Sequence, residues 1–131
     1  YEIICDCSDN FNTRYLINDY CLKNKKILIS AAISKFDAQI FNFNFKENIP
    51  CYRCFMPEIP ELENKCDTEG ILPTVAGIAG TLQANEVIKS IIDKKSELVG
   101  KMIVFNTHDL NFRKIRLTKN SQCIGDCKKY A

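Results

Sequence analysis

The chain has 131 residues, about one ordinary domain, and its 46% hydrophobic and 26% charged residues suffice for a core, which excludes a disordered, collagen-like or multidomain chain. Eighteen basic against sixteen acidic side chains leave a formal +2 spread along the chain, so no nucleic acid and no membrane surface is expected as a partner. No apolar run approaches the roughly 20 residues that span a bilayer, and Tyr1-Glu2-Ile3-Ile4 lacks the layout of a signal peptide, so a soluble, cytoplasmic protein is expected.

Tyr1-Glu2-Ile3-Ile4-Cys5 is a short apolar run ended by Asp6, Ser8, Asp9 and Asn10, which predicts a buried strand entering a polar loop. The chain starts without Met and already inside this strand, so it is expected to be a piece of a longer polypeptide. From Phe11 to Leu22, Tyr15, Leu16, Tyr20 and Cys21 share helical spacing, and Lys23-Asn24-Lys25-Lys26 ends the helix. Ile27 to Ile33 is a second apolar, β-branched run. Together these predict a βαβ unit with parallel strands and a right-handed crossover.

From Phe36 the pattern alternates, first Phe36, Ala38 and Ile40, then Phe41, Phe43 and Phe45 around Asn42 and Asn44, which predicts a strand with one exposed face. Residues 46–70 hold three of the four Pro residues, the pair Cys51 and Cys54, and the acidic Glu58, Glu61 and Glu63, and read as a long functional loop. Pro73 suits a helix N-terminus, and Ile71, Val75, Ile78, Leu82, Ile88, Ile91 and Ile92 support a long helix to about Asp93. Gly77 and Gly80 inside it cost roughly 1 kcal/mol each relative to Ala, a cost that close approach of another backbone would explain. Lys101 to Phe105 and Asn111 to Leu117, around Asn106-Thr107-His108-Asp109, read as a hairpin.

The eight Cys residues carry the strongest chemical signal, through their spacing. Cys51-x2-Cys54 and Cys123-x3-Cys127 are two close pairs far apart in the chain, the pattern that lets four thiolates surround one tetrahedral Zn2+. Such a closed shell leaves no open position for water, so the metal would join the loop to the C-terminal tail without catalysing a reaction. Four free or oxidised thiols, or redox chemistry at Cys51 and Cys54, are the alternatives. Asp6-Cys7-Ser8-Asp9-Asn10, at the carboxyl end of a parallel strand, sits where open α/β sheets bind ligands, and a carboxylate there suits Mg2+ on a nucleotide's phosphates. Equally, Asp9 or Asn10 can simply cap the next helix. Cys66 stands alone as either a nucleophile or a bystander thiol. His108 reads as a surface histidine, and Cys5, Cys7 and Cys21 as small core residues.

Taken in order, Asp6-Cys7-Ser8-Asp9-Asn10-Phe11-Asn12-Thr13-Arg14, Pro50-Cys51-Tyr52-Arg53-Cys54, Cys66 followed by Gly70-Ile71-Leu72-Pro73, and Gly80-Thr81-Leu82-Gln83-Ala84-Asn85-Glu86-Val87-Ile88-Lys89 closely resemble the ThiF/MoeB/HesA family, relatives of ubiquitin-activating enzymes. The resemblance runs over essentially the whole chain. It implies an α/β fold, the C-terminal part of a Rossmann-like ThiF/MoeB domain, with a mixed sheet, a long helix and a tetracysteine zinc site. Residues 1–45 would end the nucleotide-binding βαβ part, 46–70 form a Cys-rich crossover loop, and 71–131 supply the helix, the hairpin and a zinc-binding tail.

The activity implied is adenylyl transfer, in which Mg-ATP adenylates the C-terminal glycine carboxylate of a ubiquitin-like sulfur carrier (ThiS- or MoaD-like, serving thiamin or molybdopterin biosynthesis) and releases pyrophosphate. By motif, Asp9 would be the Mg2+ and adenylate carboxylate, with Asn10 and Arg14 flanking the nucleotide. Cys51, Cys54, Cys123 and Cys127 would hold zinc, and Cys66 would match the loop cysteine that some members acylate or persulfidate. Family members are commonly homodimers, with the Gly77/Gly80 helix as a candidate contact. No G-x-G-x-x-G phosphate loop occurs in these 131 residues, so the chain alone is expected to be inactive. The rival is a non-catalytic, zinc-stabilised module that docks a ubiquitin-like protein.

Overall fold

The computed structural model describes residues 1–59, 70–92, 94–123 and 127. Among these residues five strands and three helices follow in the order β1 (Ile3–Asp6), α1 (Phe11–Lys23), β2 (Ile27–Ser34), β3 (Asp37–Asn44), α2 (Tyr52–Phe55), α3 (Pro73–Ile91), β4 (Lys101–Asn106) and β5 (Asn111–Arg116). The strands form one mixed sheet in chain order, with β1 parallel to β2 and every later pairing antiparallel. Among the described residues no helix is long and apolar enough to cross a membrane.

Local chemistry sets the element ends. The Asn10 side chain accepts the Thr13 N–H at 2.8 Å and starts α1. Pro73 opens α3, where its missing N–H costs nothing. In the β4–β5 turn, Asn106 Oδ1 accepts the N–H groups of His108 and Asp109, and Leu110 takes a left-handed φ of 51°.

The sheet has a core on each face. On one, Tyr15 and Leu22 of α1 and Tyr52 of α2 pack on Leu28, Phe41, Phe43 and Met102. Phe41 and Phe43 stack with centroids 5.4 Å apart, and Tyr52 meets Phe41 edge-on at 5.7 Å. On the other face, Val75 and Ala79 of α3 pack on Ala38, Ile40 and Phe105.

Four expectations change. β3 has no exposed face along its middle, because it is the central strand, with α3 on one side and α1 with α2 on the other; Asn42, read as an outward polar residue, is buried under α3. The long loop contains α2, a single helical turn capped by Cys51. Among the described residues Gly77 and Gly80 meet no other backbone, since a Cβ on either would have open space around it. Cys21 is buried as expected, but Cys5 and Cys7, near the end of an edge strand, are exposed. His108 is exposed as read.

Candidate functional site

The four paired cysteines converge. Sγ–Sγ distances are 3.9 Å for Cys51–Cys54, 3.6 Å for Cys51–Cys123 and 3.4 Å for Cys54–Cys127, and all four sulfurs lie within 4.8 Å of one another. Zinc bound by about 2.3 Å bonds in a tetrahedron sets its sulfurs about 3.8 Å apart, so the donor set fits that ion. Burial and the neighbouring sulfurs push the Cys51 thiol up, and burial with hydrogen bonding pushes Cys127 up to about 12. Burial also opposes ionisation of Cys54, but the backbone N–H groups of Asn120 and Cys51 outweigh it and hold this thiol below its usual value. Four thiolates this close need a divalent cation to offset their mutual repulsion.

Helix α2 is locked to α1 beside this cluster. The Tyr52 N–H donates to Asn18 Oδ1 at 2.9 Å, and the Tyr15 hydroxyl donates to the Met56 carbonyl at 2.9 Å. Arg53 pairs with Asp19 at 2.8 Å and covers the Tyr15 ring at 4.3 Å. The Cys51–Cys54 turn therefore presents two sulfurs on a fixed support.

At the carboxyl ends of β1 and β2 the chain turns from Asp6 to Asn10. Asp6, 2% exposed, accepts from Ser8 N–H at 2.9 Å, Ser8 Oγ at 2.6 Å and Ser30 Oγ at 2.9 Å, which fixes the turn from below. Arg14 is buried and donates to the carbonyls of Ser8 and Ala31, tying the turn to β2. Asp9 stays exposed. Asn10 caps α1 and donates to Asp9 Oδ1 at 3.3 Å, so the capping reading of Asn10 is met and the residue also steadies the carboxylate. Asp9 and Arg14 line both of two adjoining clefts, of about 220 and about 430 Å3; Tyr52 lines the first, and Cys7 and Gln83 line the second.

Cys66 lies outside the described residues. The sequence reading missed Asp6 and Gln83 as supports of this turn. Gln83 Nε2 donates to the carbonyls of Asp6 and Ile29 at 3.0 and 2.9 Å, while its Oε1 accepts the Cys7 S–H at 3.2 Å. Asp6 carried a usable signal, an aspartate at a strand end two residues before a serine, which forms an Asx turn. Gln83 carried none, because its partners lie 54 and 77 residues away in the chain.

The ThiF family model matches residues 1–125, and the chain belongs to the ThiF family. Among proteins similar to it, the adenylyltransferase and sulfurtransferase MOCS3 of Drosophila willistoni is 42% identical over 94% of this chain and 28% of its own length. MOCS3 of Caenorhabditis briggsae is 36% identical over 97% of this chain and 32% of its own. The chain thus spans about a third or less of these relatives. Among solved structures, E. coli MccB matches with a TM-score of 0.74 and 18% identity over 94% of this chain and 39% of that one, and its ATP complex matches equally at 0.74 with 17% identity; these likenesses establish the fold.

Proposed function

We propose that this chain is part of an ATP-dependent adenylyltransferase that activates the C-terminal glycine of a ubiquitin-like sulfur carrier, of the kind serving molybdopterin or thiamin biosynthesis. The observation that carries this reading is the wall formed by Asp9 and Arg14, shared by two clefts at the ends of parallel strands. A reaction that joins a nucleotide to a peptide carboxylate needs two binding spaces meeting at one charged boundary. Asp9 has the exposed carboxylate that Mg2+ on ATP phosphates takes; Asn10 donates to it, and Arg14 fixes the Ser8 carbonyl just before it. Mg-ATP supplies the leaving group that an inert carboxylate lacks. The MOCS3 relatives, named as adenylyltransferases, support the reaction class.

In this reading residues 1–131 form one domain unit. The four cysteines hold a structural Zn2+, and the Cys66 thiolate takes the activated carrier as a thioester, with AMP as the leaving group. The outer side of α3 meets a second copy of the chain: Gly77, Gly80, Thr81, Ala84, Ile88 and Ile91 are exposed, uncharged, and face away from the sheet. An exposed apolar stripe along a helix is ordinarily covered by a partner.

The test is ATP–pyrophosphate exchange by the longer protein with its carrier. Exchange is expected, with Asp9→Asn slowing it by about 100-fold or more. Cys66→Ser should leave exchange intact and abolish covalent transfer to the enzyme. The 131-residue chain alone should show none. Absence of exchange in the longer protein with every candidate carrier overturns the function, whereas exchange by the chain alone overturns only its incompleteness.

A further inference from the structure

The buried residues of α3 are Val75, Ala79, Gln83 and Glu86, which helical spacing places on one side of the helix. An apolar residue is the ordinary occupant of such a position, because a buried amide is costly unless its hydrogen bonds are met. Gln83 meets them at the carboxyl ends of β1 and β2. Its Nε2 group donates to the Asp6 carbonyl of β1 at 3.0 Å and to the Ile29 carbonyl of β2 at 2.9 Å, and its Oε1 accepts the Cys7 S–H at 3.2 Å. Two facing carbonyls require the nitrogen on that side, so the amide has a single orientation.

These donations hold the first of the three peptide planes that lead from β1 to Asp9. The second, carrying the Ser8 N–H, is held by the Asp6 carboxylate at 2.9 Å, which the Ser30 hydroxyl fixes to β2 at 2.9 Å. The third, carrying the Ser8 carbonyl, accepts from Arg14 of α1. Peptide planes are rigid, so a turn with all three planes held leaves little freedom at its end. Gln83 grips the turn from the α3 face of the sheet and Arg14 from the α1 face. Asn10 then donates to the Asp9 carboxylate at 3.3 Å. Without the two donations of Gln83 the first plane is released to rotate, and its rotation carries Asp9 with it.

We propose that Gln83 is a positioning residue for adenylyl transfer, which sets, through the Asp6–Cys7 peptide, the place from which the Asp9 carboxylate serves the nucleotide. This role rests on the adenylyl-transfer reading. Gln83 is 5% exposed and acts through Asp9, and a shift of about 1 Å in a reacting or positioning group costs on the order of 100-fold in rate.

The experiment is a double-mutant cycle in ATP–pyrophosphate exchange by the longer protein with its carrier, read as kcat/KM for Mg-ATP. Gln83→Met, similar in length and without donors, should lower kcat/KM by about 100-fold. In the Asp9→Asn background the same change should cost less than about threefold, because the carboxylate that Gln83 positions is already gone. Gln83→Glu keeps the length but loses both donations when ionised; it should reproduce both results, and it decides the case if Gln83→Met does not fold. Val75→Ala, a buried change in α3 outside these hydrogen bonds, should lower Tm and leave kcat/KM as it was. Equal losses in the two backgrounds, no loss in either, or a matching loss in Val75→Ala would each overturn the proposal and mark Gln83 as a residue of the core only. Failure of both Gln83 variants to fold overturns it for the same reason. No exchange by the parent protein removes the adenylyl-transfer reading and this role together, whereas exchange by the parent with equal losses in both backgrounds removes this role alone.

Discussion

At the residue scale, the polar groups under α3 show how burial and hydrogen bonding compete. Burial pushes Glu86 up, but hydrogen bonds from Lys89, Ser96 and Asn42 prevail and hold its carboxyl below the usual 4.5. A carboxylate held low in the folded state adds stability above the unfolded pKa, and that contribution is lost as pH falls through the folded pKa. Glu86→Gln should therefore cost about 1–3 kcal/mol at neutral pH and progressively less in acid. Urea midpoints of the two proteins across that range provide the check, and a constant gap would refute the role. None of this was legible in the chain order. Glu86 is the first charged residue of α3, thirteen positions after Pro73, and only the register of β3 brings Asn42 beneath it.

At the element scale, helix α2 shows why a Cys-rich loop contains a turn of helix. Two sulfurs three residues apart on a single turn face the same side, and Tyr52, Arg53 and Tyr15 hold that turn on α1. The cluster then joins α1 and α2 to the segment after β5, where Cys123 and Cys127 lie. Residues 124–126, between those two cysteines, are outside the described residues. With zinc bound, one ion per chain is expected in native mass spectra. Cys123→Ser should abolish metal retention and, for a loss of about 2 kcal/mol, lower Tm by roughly 10 °C. The second core, between α3 and the far face of the sheet, contains none of the four cysteines, so a folded remnant should survive metal removal. Unchanged Tm in the variant would show that the thiols pack without a metal. Here the sequence was informative, because close cysteine pairs advertise a metal site whatever the fold around them.

At the scale of the whole molecule, α3 lies between two surfaces. Its inner side sends Gln83 to the carbonyls of Asp6 and Ile29, while its outer side exposes Ile88 and Ile91 at 56% and 68%. Pairing of two copies through that outer side predicts a dimer in sedimentation velocity, and Ile88→Glu should yield a folded monomer because it places an unpaired charge in an apolar contact. A monomeric parent chain would remove this interface. By itself the sequence determined the order of the five strands and the two long helices, the β4–β5 hairpin, the βαβ unit and the pairing of the four cysteines. Each of these depends on residues close together in the chain, through periodicity, capping and spacing. The tertiary structure alone decided that β3 is covered on both faces, that Cys5 and Cys7 face outward, and that Gln83 braces the Asp6–Asn10 turn. It also decided that Asn42 Oδ1 is buried and, among the described residues, meets no donor. Those outcomes depend on which segments become neighbours when the sheet assembles, and local pattern holds no record of that.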